Sequence, residues 1–293
     1  MRPAPLLITG GSGYLGRTLL ARAPTGAPLH LVQHHTPLAR VPVDAEIHTL
    51  DLAEEQAVST LVARVRPALV IHAAASMAPD TLKRAIVRAT ANVVAACARG
   101  GVRLLHLSTD ALFDGEHAPY TEADLPAPVH VYGRAKAAAE VEVRVLPAGQ
   151  ACIVRTSLIT GAEPLDPRSV WVAESLRLGR PITLFVDELR CPIWIEDLAA
   201  AIWELAAMEN WPPVLHVAGP EALSRYTLGL LIAAHQGLPV EGITRGYNRD
   251  LAVPRPRDVR LDTRLAAQVL HRQPRPISEV FAGLKATGCQ LEG

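Results

Sequence analysis

Short apolar runs alternate with stretches of helical periodicity from the first residues of this chain. Pro5-Leu6-Leu7-Ile8-Thr9 is an apolar run that stops at glycines, and residues 13–22 then take on helical character. Leu29-His30-Leu31-Val32-Gln33 and Glu46-Ile47-His48-Thr49-Leu50 read as the second and third strands, the third ending at Asp51. An amphipathic helix over 54–66 stops at Pro67, and Ala68-Leu69-Val70-Ile71-His72 follows as a buried strand. A helix over 81–99 closes at Gly100-Gly101, and residues 102–107 form the next strand. A helix over 131–146 and the strand Ala151-Cys152-Ile153-Val154-Arg155 complete the alternation. Strands apolar on both faces, separated by helices, predict an α/β protein with a doubly wound parallel sheet covered on both sides.

Beyond Arg155 the pattern loosens. Residues 162–166 read as loop, 170–178 as a helix ended by Gly179, and 197–208 as a helix with Asp197 at its N-cap. Val214-Leu215-His216-Val217-Ala218 reads as one more strand of the first sheet. A helix over 227–235 and a Pro/Arg-rich segment around Pro254-Arg255-Pro256-Arg257 complete a smaller lobe. The predicted division is a larger domain over 1–160, to which 191–219 returns, and a smaller one over 161–190 and 220–293. In such folds a ligand sits in the crevice beyond the strand carboxyl ends.

Composition narrows the partners. Lys plus Arg is 29 and Asp plus Glu is 29, so the net charge is zero and offers nothing to nucleic acid or an anionic membrane. The four cysteines, Cys97, Cys152, Cys191 and Cys289, are scattered without a C-x-x-C pair, so neither zinc nor a disulfide framework is expected and no metal site is assigned. No apolar run approaches the ~20 residues of a transmembrane helix. With the first strand beginning by Leu6, a signal peptide is not expected, and a reducing cytoplasm is the simplest setting.

Thr9-Gly10-Gly11-Ser12-Gly13-Tyr14-Leu15-Gly16 places G-x-x-G-x-x-G between a strand and a helix. Gly10 permits the tight turn, Gly13 lets backbone approach a pyrophosphate and Gly16 allows close helix–strand packing, so the larger domain is expected to bind a dinucleotide. Backbone N–H groups at Tyr14, Leu15 and Gly16 and the positive helix end would hold its phosphates. The second strand lacks the acid that receives the adenosine ribose of NAD; it ends Gln33-His34-His35-Thr36, with Arg40 following. A 2′-phosphate could meet Arg17, Arg40 or a histidine there, so NADP(H) is favoured over NAD(H). Asp51-Leu52 either reaches the adenine amino group or starts the next helix.

Tyr132 and Lys136 stand four apart in Tyr132-Gly-Arg-Ala-Lys136 and share a helix face. A unit charge about 4 Å from a phenol is worth roughly 4 kcal/mol at an effective dielectric of 20. At about 1.36 kcal/mol per pKa unit, that brings the phenol toward neutrality and suits proton transfer to a carbonyl or from an alcohol. Lysine is otherwise confined to Lys83 and Lys285, so a lysine here stands out.

Taken together, the glycine pattern, Asp51-Leu52, His72-Ala73-Ala74-Ala75, the run Ser108-Thr109-Asp110-Ala111-Leu112-Phe113-Asp114-Gly115, Tyr132 to Lys136 and Arg155-Thr156-Ser157 resemble an extended short-chain dehydrogenase/reductase with a Rossmann sheet. Tyr120-Thr121-Glu122-Ala123-Asp124 and Arg255-Pro256-Arg257 with Leu261-Asp262 point to the dTDP-4-dehydrorhamnose reductase branch and its sister, the regulatory β subunit of methionine adenosyltransferase. The resemblance implies that Thr109, Tyr132 and Lys136 act on a keto group, that Ala73, Ala74 and Ala75 line the cofactor, and that Thr109, Asp110, Leu158 and Arg257 meet the substrate. It implies a nucleotide-linked sugar as substrate; a homodimer is a common arrangement in the superfamily. An epimerase or dehydratase, or a non-catalytic NADP-binding regulatory subunit, are the other activities the resemblance leaves open. Four positions depart from the branch: Ala111 and Leu158 replace aromatics, Ile86 or Arg88 falls where Asn is common, and His72 stands where Asn is usual. The first two imply a roomier sugar pocket.

Overall fold

Buried runs of four to seven residues build the central sheet of the computed structural model, which describes residues 4–38, 41–76, 78, 80–251 and 255–288, the last four as backbone only. Its strands are β1 (Leu6–Thr9), β2 (Leu29–Gln33), β3 (Glu46–Thr49), β4 (Leu69–His72), β5 (Arg103–Thr109) and β6 (Ala151–Thr156). Together with Val214–Val217 they lie in the order Val214–Val217, β6, β5, β4, β1, β2, β3. The pairs β1–β2, β1–β4, β2–β3 and β4–β5 run parallel, in keeping with the two-sided burial of the inner strands; β3, at the edge, is largely exposed. This is the doubly wound arrangement, and the strand order reverses between β1 and β4.

Helices α1 (Tyr14–Ala21), α2 (Glu55–Val65), α3 (Ala89–Gly100) and α4 (Val131–Val143) link the strands. Val58, Leu61 and Val62 of α2 and Val93, Val94 and Cys97 of α3 bury against Leu7, Val70 and Leu104 of the sheet. Each such side chain contributes about 1.5–3 kcal/mol relative to exposure. The segment read as one helix over 81–99 is two: a π-helical turn, Lys83–Arg88, runs into α3. A π-turn adds a residue to the helical repeat and re-aims the side chains on either side of it.

The chain divides into two units, 1–112 with 130–155 and 199–215, and 113–129 with 156–198 and 216–293. This differs from the boundaries drawn from the sequence. Residues 113–129 belong to the second unit because Tyr120 pairs with the 260s: its N–H donates to Arg260 O at 2.8 Å, and Asp262 N–H donates to Tyr120 O at 2.7 Å. Residues 156–160 and 191–198 join it too, since Ile159–Thr160 pairs with Ile193–Trp194. Asp197 is not the N-cap of its helix, which begins at Ile195; its carboxylate accepts Arg275 N–H at 2.9 Å and pairs with that guanidinium. The helices Pro167–Arg177 and Arg225–His235 start earlier than the apolar period indicates, capped by Asp166 and Ser224.

Candidate active site

The glycine loop lies at the reversal point of the sheet, where β1 and β4 are neighbours. Gly10 has φ of 76°, and a Cβ there would stand 2.6 Å from Ala74 N and 2.7 Å from the Ala73 carbonyl carbon. Its bareness therefore serves the approach of the Ala73–Ala74 backbone as well as the turn. At Gly16 a Cβ would lie 2.1 Å from Gly10 O, so α1 packs directly on the loop. Gly13 is the N-cap of α1, with no side-chain cap and no acidic residue in the first turn. An uncapped, non-acidic helix start of this kind can hold an anion.

At the carboxyl end of β2 the side chains are engaged with one another. Gln33 donates to Thr49 Oγ1 at 2.9 Å and accepts Leu38 N–H at 3.0 Å, while Arg17 Nε donates to Ser12 O at 3.0 Å. Arg40 lies outside the described residues. Asp51 is not the helix N-cap, which is Glu54. Its carboxylate instead accepts Ala53 N–H at 2.8 Å and the exposed Arg84 guanidinium at 2.7 Å, and these bonds outweigh partial burial to hold its pKa below the usual range. Arg84 also reaches Glu54 at 2.6 Å. Leu52 is half-buried, and its carbonyl accepts from Asn92 Nδ2 at 2.9 Å.

Beyond β5, a 3₁₀ turn carries Asp110. Thr109 Oγ1 accepts Ala111 N–H at 3.2 Å and points its own proton at Asp110 Oδ1, 3.3 Å away. Tyr132, Lys136 and Glu140 follow at i, i+4 and i+8 along α4. Tyr132 is half-buried, packing on Leu82, Ile86, Ala135 and Ala139. Ile86 is buried there while Arg88 is exposed, so the Tyr132 ring packs on an apolar surface. Lys136 is buried but not sealed, with 3% of its surface exposed: Nζ donates to Leu107 O at 2.5 Å and lies 3.4 Å from His106 Nε2. Burial lowers its pKa to about 8, against an opposing pull from Glu140.

Glu140 fixes this helix face. Its carboxylate accepts Ser108 Oγ at 2.6 Å, Arg155 Nε at 3.0 Å and the second Arg155 nitrogen at 2.8 Å, with both charged side chains essentially inaccessible. The pair ties α4 to β5 and β6 one turn beyond Lys136. Sequence reading missed it, although a carboxylate four residues past Lys136 on the same face was the available signal.

His72, the departure from Asn, ends β4, its ring centroid 5.3 Å from that of His106. Thr9 Oγ1 lies 2.7 Å from Nδ1, and Thr90 Oγ1 lies 3.1 Å from Nε2. Thr9 Oγ1 also accepts Ala74 N–H at 3.4 Å, so both ring nitrogens of His72 and the loop after β4 are held by the same pair of threonines. Burial, with Lys136 adding to it, lowers the His72 pKa to about 3. An unfolded imidazole takes up a proton below about 6.5, whereas this one stays neutral, so stability is held above pH 6.5 and lost progressively below it. By pH 4.5 the loss should reach about 2–3 kcal/mol from this residue, at 1.36 kcal/mol per unit. His72→Asn should flatten that slope in urea melts taken between pH 7 and 4.5; an unchanged slope would refute the assignment.

Among the substrate-side residues, Asp110 is buried in the first unit. Leu158 and Arg257 belong to the second. Leu158 packs with the apolar cluster of Leu184 and Leu228, and Arg257 pairs with Glu116 at 2.5 Å. The loop before Tyr120 is held by its hydroxyl, which accepts the N–H groups of Gly115, Glu116 and His117 and donates to Asp114.

With that geometry in place, comparison with known proteins gives the family. A profile described as the RmlD substrate binding domain matches residues 4–284. This chain belongs to that family. It is 28% identical over 80% of its length to methionine adenosyltransferase 2 subunit beta of Rattus norvegicus, covering 72% of that protein. It is 30% identical to a probable low-salt glycan biosynthesis reductase of Haloferax volcanii, over 87% of this chain and 88% of that one. The fold matches that of Bacillus anthracis dTDP-4-dehydrorhamnose reductase in complex with NADP, at a TM-score of 0.80 and 22% identity, covering 96% and 98% of the two chains. It also matches the Bordetella bronchiseptica enzyme WbmH in complex with NAD+, at 0.81 and 17%, covering 95% and 96%. The family match bears out the resemblance and the doubly wound fold expected from it. No helix among the described residues is long and apolar enough to cross a membrane.

Proposed function

We propose that this chain is an NADP(H)-preferring reductase of a keto group on a nucleotide-linked sugar, with Thr109, Tyr132 and Lys136 as its reacting set. One observation carries the reading: Thr109 ends β5 and Lys136 is pinned to it, one strand from the reversal point where the glycine loop meets Ala73–Ala75. The uncapped start of α1 fits a pyrophosphate on the N–H groups of Tyr14, Leu15 and Gly16. Small side chains at Ala73, Ala74 and Ala75 leave space for the nicotinamide half, with Asp51 and Leu52 toward the adenine. The absence of a carboxylate at Gln33 favours a 2′-phosphate over a bare ribose.

When bound, the dinucleotide would supply hydride to a substrate's carbonyl carbon. Thr109 turns its proton from Asp110 to the carbonyl oxygen, and Tyr132 gives its phenolic proton to the same oxygen as charge develops there. Two of the three Lys136 N–H bonds face Leu107 O and His106; the third serves the nicotinamide ribose, and the charge favours the phenolate left behind. Asp110, Leu158 and Arg257 are the residues we assign to the sugar and its nucleotide. The buried thiols Cys97, Cys152 and Cys191, none of them in a disulfide, suit a reducing cytoplasm, where we place the reaction.

Similarity to the methionine adenosyltransferase subunit supports a second reading, a non-catalytic partner that holds cofactor. An epimerase or dehydratase is less well supported, because Ala111 follows Asp110 where dehydratases of this type carry an acid. Offered a panel of nucleotide-linked keto sugars, purified protein should consume NADPH with at least one of them. Binding without turnover across the panel would transfer the lead to the partner reading. In calorimetric titration NADPH should bind more tightly than NADH by a modest factor; the reverse order would overturn the cofactor preference.

A further inference from the structure

Strands β2 and β3 bring three ligand-type side chains to one place at the edge of the sheet. In register His30 faces Glu46 and Val32 faces His48, so the period of two sets His30, Glu46 and His48 on the same side. His30 Nδ1 lies 3.0 Å from His48 Nε2, His30 Nδ1 lies 3.6 Å from Glu46 Oε2, and His48 Nε2 lies 3.7 Å from Glu46 Oε1. An ion bound tetrahedrally at about 2.0–2.1 Å sets its ligands about 3.3–3.4 Å apart. The two nitrogens stand 3.0 Å apart and each lies within 3.7 Å of one of the two Glu46 oxygens, close to an edge of that tetrahedron, and one ligand atom of each residue lies within 4.8 Å of the others.

We propose that His30, Glu46 and His48 bind one divalent transition ion of the Zn²⁺ class, with water as the fourth ligand. Two imidazoles and a carboxylate are a borderline donor set that suits Zn²⁺ and excludes Mg²⁺ or Ca²⁺, which demand oxygen. The His48 side chain is only 6% exposed while that of Glu46 is 60% exposed, so strands hold the imidazoles and the carboxylate stands at the water side, where an ion would enter. Without an ion, a proton bridges the two imidazoles, and exposed Arg64 lies 2.9 Å from His48 Nδ1. Ligation at Nε2 moves the His48 proton to Nδ1, so Arg64 must swing into solvent. An acceptor in its place would favour the ion.

His30 is three residues from Gln33, about 10 Å along the strand, and His48 faces Val32 beside it, on the face of the sheet opposite to the Gln33 side chain. Metal binding is therefore independent of the reductase reading, and acts as a clip between the edge strand and its neighbour. The sequence hides it, because the ligands lie 16 and 18 residues apart on two strands and no cysteine marks them.

The test uses untagged, chelator-treated protein titrated with Co²⁺, followed by its visible ligand-field band, with Zn²⁺ as competitor. One equivalent should bind per chain, and Zn²⁺ should raise the melting temperature by several degrees at saturation. His30→Asn and His48→Asn should each weaken binding at least about 100-fold, no less than the loss of an outer-shell partner. Glu46→Gln, at an exposed position that leaves the fold intact, should weaken it at least about 10-fold. Arg64→Gln should tighten it, and NADPH affinity should not respond to the metal. Absence of the band would overturn the proposal. So would a band that survives Glu46→Gln and His48→Asn, or one lost on replacing the neighbouring His34 and His35.

Discussion

Tyr132→Phe should reduce turnover by about 10²–10⁴-fold, the usual contribution of a positioned general acid, while leaving NADPH affinity nearly unchanged. The ring keeps its packing on Leu82, Ile86, Ala135 and Ala139, so the fold is not at stake. Lys136→Ala should lower both quantities, because it removes a ribose donor together with the charge. In the wild type, rate should fall as pH rises through about 8, where Lys136 gives up its proton. Steady-state rates and dissociation constants for both variants check this; equal activity in wild type and Tyr132→Phe would rule the assignment out.

Glu140→Gln should cost about 3–5 kcal/mol of folding free energy, because it strands the Arg155 guanidinium in the interior. That is a large share of the roughly 5–15 kcal/mol that holds a native protein together. Pairing Glu140→Leu with Arg155→Met removes both charges and should recover at least half of the loss, since an apolar pair of similar volume tolerates burial. Urea midpoints report this directly. A single variant within about 1 kcal/mol of wild type would mean that the pair does not anchor α4. Glu140 lies one turn beyond Lys136, so the same variant should also loosen the lysine from Leu107 and weaken cofactor binding.

The sheet was legible because its inner strands are apolar on both faces: Leu69–His72 is buried throughout, and a run that short between turn residues fits a covered parallel strand. The glycine loop was legible because three spaced glycines follow a strand and open a helix. Other features depend on partners distant in sequence. The π-turn at Lys83–Arg88 has the same apolar period as a helix and differs by one residue of winding. Ladders of two residues, such as Leu189–Arg190 with Leu223–Ser224, are too short to have a period at all. Asp51 was placed at the right strand end, but its engagement by Arg84, 33 residues later, appears only in three dimensions. The same holds for Tyr120, whose ladder with Leu261 draws residues 113–129 into the second unit.

The central claim is that hydride leaves the nicotinamide and reaches a keto sugar on this protein. A single-turnover reaction with NADPH deuterated at nicotinamide C4, using whichever nucleotide-linked keto sugar the panel selects, tests it most directly. The account predicts deuterium on the new carbinol carbon and one NADP⁺ per product, with the transfer suppressed in Tyr132→Phe. NADPH bound in stoichiometric amount, unoxidised and with no label in any sugar, would contradict it.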